Sequence, residues 1–157
     1  MSYLPPVIVF DLWGTLVHAV DSGVTGVEIP ALHERGTQVA MLYDDVLKAV
    51  EKLRQGKRRI GICSNLDFEY VEAMLALVPG MDSYSFSCQV GARKPDPKIY
   101  QHVVDQLRCR PADVLFIGDS RRKDFDGPRA FGMKAALIDR KAGETIEEVI
   151  ARATVRR

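Results

Sequence analysis

The run VIVFDLWGTLV, Val7 to Val17, sets the terms for the whole chain. Four apolar residues, Val7 to Phe10, lead straight into an acid and then into a Gly-Thr turn. A short unbroken apolar run bounded by breakers is the pattern of a strand buried on both faces, as in a parallel sheet. Asp11 stands where such a strand opens into a loop at its carboxyl end, the edge on which open α/β sheets bind their ligands. Pro5 and Pro6 limit what can precede the strand.

A buried parallel strand needs parallel neighbours. RIGICSN predicts a second strand at about Arg59 to Cys63, SYSFSCQVG a short third, DVLFIGDS a fourth at Val114 to Ile117, and MKAALIDR a last one. Helical patterns separate them. DDVLKAVEKLRQG carries apolar residues at 46, 47, 50 and 53, one face of a helix, with Asp44 or Asp45 as its cap and Gly56 as its stop. LDFEYVEAMLALVPG predicts a second helix ended by Pro79 and Gly80. In GARKPDPKIYQHVVDQLR, Pro95 and Pro97 hold the start extended, and Pro97 suits the first turn of the helix that follows. DFDGPRAFG predicts a short helix and TIEEVIARA a closing one, with RATVRR as its frayed end.

About five strands alternating with helices predict an α/β fold, a Rossmann-like three-layer sandwich with a mostly parallel sheet. A single domain over residues 1–157 accounts for this order, without repeat or linker. The segment at about 17–43 stands apart. Rich in breakers and without a helical period, it reads as a loop with a small hairpin or flap near Val24 to Ile29.

Composition narrows the setting. At 157 residues and 46% hydrophobic content, the chain is long enough to bury one core. A net charge of +1, from 22 basic and 21 acidic residues, provides no field that would draw it to nucleic acid or an anionic membrane. Cys63, Cys88 and Cys109 are odd in number and form no CxxC pair, which argues against a disulfide framework or zinc site and for a reducing cytoplasm. MSYLPPVIVF lacks the basic start and long apolar core of a signal peptide. No apolar run approaches the roughly 18 residues that span a bilayer. The expectation is a cytoplasmic protein with neither a membrane nor a nucleic-acid partner.

The predicted strands share one property: each of several ends in polar residues. Asp11 and Thr15 follow the first, Ser64 and Asn65 the second, Lys94 lies in the loop after the third, and Asp119 and Asp124 follow the fourth. Taken singly, such residues cap helices or sit solvated in loops. In a parallel sheet, however, all carboxyl ends lie on one edge, so these groups can converge. Cys63, directly before Ser64, reads as a small core residue. The basic clusters Lys57 to Arg59 and Arg121 to Lys123 read as solvated faces, the second close enough to the GDS loop to attract an anion.

In this order, the motifs resemble those of the haloacid dehalogenase (HAD) superfamily of phosphatases and related enzymes. VIVFDLWGTL is similar to its first motif, DxDGT; IGICSN matches the second at Ser64; ARKPDP matches the third at Lys94; VLFIGDSRRKD matches the fourth at Asp119 and Asp124. The run DGPRAFGMKAALIDR also looks like that family's helix and fifth strand. The resemblance implies a phosphohydrolase acting on a phosphorylated substrate, with Asp11 as nucleophile and an aspartyl-phosphate intermediate. It implies magnesium held by the Asp11 carboxylate, the backbone carbonyl of Trp13, and Asp119, with Asp124 as a further ligand or orienting a metal-bound water. Ser64 with nearby amides, Thr15 and Asn65 would bind phosphate oxygens, and Lys94 would offset the charge of Asp11 and the phosphate.

Trp13 departs from the pattern. The family's phosphatases carry an aspartate there as general acid and base, and indole can only donate a hydrogen bond. General acid–base catalysis is worth about 10²- to 10⁴-fold, so turnover of ordinary alkyl phosphates is expected to be slow or specialised. His18 and Asp67 are the candidates to replace the missing group; each also has a structural reading, in the flap and in the first turn of a helix. Two alternatives follow: a non-catalytic or regulatory phosphate-binding domain, and a dehalogenase-type hydrolase. The family's dehalogenases share an aromatic at this place but lack the acid at Asp119 and carry a helical cap for which the segment from Val17 to Asp44 is too short. A receiver-like phospho-switch fits poorly, because its phosphorylated aspartate follows its acidic pair, whereas Asp11 comes first. Without a large cap the site would be open to a macromolecular substrate or to closure by a second subunit, as in a homo-oligomer.

Overall fold

The computed structural model describes residues 3–21, 25–29 and 38–155. The first strand, β1 (Val7–Phe10), is buried on both faces, with all four residues fully inaccessible. The chain then forms a small antiparallel sheet from β2 (Val17–Asp21), β3 (Val27–Ile29) and β4 (Gln38–Leu42), in the order β2-β4-β3. After helix α1 (Val46–Gln55) come β5 (Arg59–Ser64), α2 (Val71–Leu77), β6 (Ser83–Phe86), a single turn α3 (Ser87–Val90) and α4 (Pro97–Leu107). The chain ends in β7 (Val114–Gly118), α5 (Gly127–Phe131), β8 (Lys134–Leu137) and α6 (Ile146–Thr154).

Five strands form one parallel sheet in the order β6-β5-β1-β7-β8, with Ile8 of β1 level with Ile60 on one side and Leu115 on the other. The chain leaves β1 toward β5 and β6, then returns to its opposite side at β7. That reversal places the switch point of the sheet at the carboxyl end of β1, where Asp11 begins the loop. Alternation of side chains divides the core in two. Ile8 and Phe10 join Ile60 and Ile62 under α1 and α6, which contribute Val46, Val50, Leu53, Ile146 and Val149. On the other face Val7, Val9 and Phe116 pack on Ile99, Val103 and Leu107 of α4. The predicted three-layer α/β fold is what forms.

Local differences have physical causes. The stretch expected to be mostly loop contains the three-stranded sheet, held by antiparallel pairing of Val17–Asp21 with Gln38–Leu42 and by burial of Val17, Ile29 and Ala40. Strand β3 overlaps the hairpin expected at Val24 to Ile29; Val24 lies outside the described residues. Asp45 precedes α1 without capping it by its side chain. Its carboxylate instead pairs with Arg140 at 2.9 Å and accepts a 2.7 Å hydrogen bond from the Ile146 amide, tying α1 to α6. Leu47 is 72% exposed, because the buried stripe of α1 runs through Val46, Val50 and Leu53. The helix predicted after Ser64 opens as one 3₁₀ turn, Phe68–Tyr70, before becoming α2. Pro97 does occupy the first turn of α4, where the Asp96 carboxylate accepts from the Lys98 amide at 2.9 Å. Among the described residues no helix is long and apolar enough to cross a membrane.

Because α4 buries Ile99 completely in the second core cluster, Ile99→Ala should cost about 2–5 kcal/mol in urea unfolding, whereas Lys98→Ala, at an exposed position on the same helix, should stay within about 0.5 kcal/mol. Equal losses would contradict the assignment of the helix face.

Candidate functional site

The groups at the carboxyl edge are delivered by strand ends and by the segments that follow them. Asp11 follows β1, its amide donating to the Ile117 carbonyl at 3.0 Å, so β1 and β7 remain joined one residue past the sheet. The next turn requires Gly14. Its φ is +74°, and a Cβ there would lie 2.2 Å from Oδ2 of Asp119. The first loop and the β7 loop therefore touch only because position 14 has no side chain. Gly118 plays the same part for Asp124, whose Cγ would lie 2.3 Å from an added Cβ.

Lys94 links the loops. It is 4% exposed, and its Nζ donates to Oδ1 of Asp11 at 3.0 Å and Oδ1 of Asp124 at 2.6 Å, 5.4 Å from the centroid of the Phe116 ring. Asp124 is fully buried, and its other oxygen accepts from the Ser120 amide at 3.0 Å. Asp119 is exposed and completes a cluster in which oxygens of Asp11, Asp119 and Asp124 all lie within 4.8 Å of one another. Three carboxylates thus face one ammonium.

Burial raises the pKa of Asp11, against the pull of Lys94 and with the repulsion of Asp119. Burial also raises Asp119 and Asp124, each with a neighbouring carboxylate adding to the effect. Burial works against the Lys94 charge, but Asp11 and Asp124 outweigh it and hold its pKa above the ordinary value. The thiol of Cys63 is pushed up to about 12 by burial, which makes it a core residue rather than a nucleophile.

The hydroxyls of Thr15 and Ser64 are buried at this edge, and neither Oγ has a hydrogen-bond partner. Arg58 Nε and Ser83 Oγ, which are not among the strand-end groups of this edge, are unpartnered too, so what the two hydroxyls offer here is donors available to a polar ligand. Asn65 was expected beside them as a phosphate ligand. Its amide is instead engaged with the backbone of Lys94: Oδ1 accepts from the Lys94 amide at 2.7 Å and Nδ2 donates to the Lys94 carbonyl at 3.1 Å. Asn65 thereby fixes the loop from which Lys94 reaches into the site.

Trp13 is half-buried, and its ring meets Tyr70 edge-to-face at 6.0 Å and 87°. The bridge between Trp13 and Val17 is made by the Leu12 carbonyl and the Gly14 amide, so it leaves the Trp13 carbonyl unused. His18 stacks on Tyr43 with centroids 4.5 Å apart, and Asp67 is an exposed residue at the start of the 3₁₀ turn. Among the described residues neither bonds to a carboxylate of the cluster.

Arg140 escaped the sequence reading. Its Nε and Nη2 donate to the Thr15 carbonyl at 2.9 and 2.7 Å, its Nη1 to Asp45 and the Glu144 carbonyl, and its guanidinium lies over Tyr43. The signal was available: Asp139 and Arg140 are again polar residues just beyond a strand, in MKAALIDR.

Comparison with known proteins agrees with this geometry. Residues 24–132 match the family model described as haloacid dehalogenase-like hydrolase. The chain is 32% identical over 113 residues to Phosphatase MT3486 of Mycobacterium tuberculosis, covering 69% of this chain and 51% of that protein. It is 32% identical over 102 residues to (S)-2-haloacid dehalogenase 4A of Burkholderia cepacia, covering 63% and 44%. The chain therefore spans about half the length of these relatives. The fold matches the crystal structure of a HAD phosphatase from Thermococcus onnurineus with a TM-score of 0.62 at 24% identity, over 72% of this chain and 56% of that one. Parallel sheet, polar strand ends and family match agree, and the chain belongs to the haloacid dehalogenase-like hydrolases.

Proposed function

We propose that this domain is a phosphohydrolase that transfers a phosphoryl group to Asp11 and then to water. The observation that carries the reading is the excess of negative charge beside Lys94, where three clustered carboxylates have one buried ammonium that pairs with only two of them, Asp11 and Asp124. Like charges about 4 Å apart repel by roughly 4 kcal/mol near a protein surface, so the cluster favours a divalent cation. Asp11, Asp119, Asp124 and the Trp13 carbonyl would hold magnesium, for which such hard oxygen donors are suited. When bound, that ion supplies charge neutralisation for a phosphoryl group beside Asp11.

The remaining chemistry belongs to the side chains. An Asp11 oxygen attacks phosphorus, the ester P–O bond breaks, and its electron pair leaves with the alcohol oxygen. Lys94 offsets the charge gathered on Asp11 and the phosphoryl oxygens, and Asp124 holds the ammonium in place. Thr15 and Ser64 donate to the same oxygens; their buried, unpartnered hydroxyls support that role. Water then attacks phosphorus, the acyl-phosphate bond breaks, and Asp11 is regenerated with release of phosphate. At Trp13 no group is present to protonate the leaving oxygen or to accept the proton of that water. Turnover is therefore slow on substrates with poor leaving groups.

The inserted segment contributes a three-stranded sheet rather than a helical cap among the described residues, which supports access by a bulky phosphorylated substrate. Free thiols at Cys63, Cys88 and Cys109 fit a reducing compartment. A dehalogenase reading draws on the aromatic Trp13 and on the dehalogenase relative. It leaves the three-acid cluster without employment, since displacement at a carbon–halogen bond develops no phosphoryl charge to neutralise. Halide release from 2-chloropropionate, with no phosphate release from any ester, would reverse the order of the two readings.

Asp11→Asn should abolish phosphate release from a panel of phosphate esters and acyl phosphates; persistent activity would contradict the nucleophile. Trp13→Asp should raise turnover of alkyl phosphates by about 10²- to 10⁴-fold, measured as kcat. No gain would show that proton transfer is not the limitation. Magnesium at 100 times its Kd should stabilise the native protein by about 2.7 kcal/mol, seen as a rise in Tm, and Asp119→Asn should lose most of that rise. The carboxyl pKa values are raised, so protons compete with the cation, and magnesium affinity should weaken as the pH falls, beginning above the ordinary carboxylate range. A rise in Tm equal in the variant would contradict the cation site.

A further inference from the structure

We propose that the phosphate ester this site cleaves is an aryl ester, an inference that rests on the phosphohydrolase reading and names its substrate class. Two properties of Trp13 lead there: no carboxylic acid stands at that position to protonate the leaving oxygen, and the partly open indole stands there instead.

With no donor at position 13 and none replacing it among the described residues, the leaving oxygen departs as an anion. The transition state of phosphoryl transfer is loose, so much of the negative charge has already reached that oxygen. The conjugate acid of an aryl oxide has a pKa near 10, whereas an alkoxide resembles hydroxide, whose parent water sits near 15.7. With nearly full charge development, a difference of this size favours the aryl ester by roughly 10⁴- to 10⁵-fold. An active site built around an indole at this position is thus ill-suited to alkyl esters and well-suited to phenolic ones.

The indole supplies recognition. Trp13 lies two residues after Asp11 and remains partly open, while Tyr70 fixes its ring by the edge-to-face contact at 6.0 Å. Tyr70 is 7% exposed and belongs to the core, but Phe68, in the same 3₁₀ turn, is 70% exposed. That turn begins only four residues after Ser64 at the same edge of the sheet. An aromatic leaving group gains stacking area on such a surface. Acyl phosphates and anhydrides also leave without a proton, but they gain nothing from the indole face of Trp13.

The step balances without an added reactant. Asp11 displaces the aryl oxide, which leaves with the P–O electron pair and takes its proton from solvent; water then cleaves the acyl phosphate, its protons divided between phosphate and solvent.

The test uses the wild-type chain with magnesium, a series of substituted phenyl phosphates, methyl phosphate and acetyl phosphate. We expect kcat/KM for phenyl phosphate to exceed that for methyl phosphate by at least about 10³-fold and to fall steeply as the pKa of the phenol rises. In Trp13→Asp that slope should flatten. Trp13 is the one tryptophan of the chain, so its fluorescence reads the site without turnover. Phenylphosphonate should quench it at concentrations where methylphosphonate does not. A phosphotyrosyl peptide cleaved as well as phenyl phosphate would support a protein-borne aryl ester; phenyl phosphate cleaved far better would support a small one. Methyl phosphate cleaved as well as phenyl phosphate, acetyl phosphate lying above the line of the phenyl series, or equal quenching by the two phosphonates would overturn the aryl assignment and leave the phosphohydrolase intact. If no substrate is cleaved, the phosphohydrolase reading fails on its own, and the fluorescence comparison still decides for or against the aryl surface.

Discussion

The Lys94 ammonium is the interaction on which the rest of the site depends. A buried charge is costly unless paired, and Lys94 meets that cost with Asp11 after β1 and Asp124 after β7. Its loop follows β6, on the far side of β5, so the pairing draws together segments from three places in the sheet. Asn65 clamps the Lys94 backbone from the end of β5, which adds a fourth. Gly14 and Gly118 allow the approach, since a Cβ at either would overlap a carboxylate. Convergence of the strand ends is thus a requirement of burying one lysine.

That requirement also explains what is left unsatisfied. Lys94 can answer two carboxylates but not Asp119 as well, and the Thr15 and Ser64 hydroxyls are buried without partners. Both the surplus negative charge and the orphaned hydroxyls are disposed to accept something from outside: a cation for the first, an anion rich in oxygens for the second. Arg140 bears on the same edge from below, because its two donors hold the Thr15 carbonyl and so the loop that carries the Thr15 side chain. The proposed ligand, a phosphate with its metal, would answer all of these at once.

Much of this was legible because it is written in short stretches. Strands β1 and β7 are continuous apolar runs and β5 is one from Ile60 to Cys63; Asp11, Ser64 and Asp119 stand directly at or just past their ends, with Asp124 in the segment that follows β7. Lys94 was marked by its prolines and by its order among the other motifs. What was not legible depends on long-range pairing. Gln38–Leu42 shows no clean alternation of buried and exposed positions, so β4 is recognisable only with β2 and β3 beside it. Asp45 looked like a helix cap until Arg140, nearly a hundred residues later, was found to hold its carboxylate. Asn65 looked like a ligand because nothing local shows that its amide faces the backbone of Lys94.

Trp13 turns the same geometry into a kinetic statement. With an indole at position 13 and no replacement base bonded to the cluster among the described residues, breakdown of an aspartyl phosphate should be slower than its formation from a good leaving group, so the intermediate should accumulate. Rapid quench of the magnesium-loaded protein during turnover, followed by mass analysis of its peptides, tests this directly. One phosphoryl group on the peptide carrying Asp11, appearing with a burst of released leaving group and absent from Asp11→Asn, is the result predicted. Steady turnover with that peptide unmodified, or with the phosphoryl group on another residue, would contradict it.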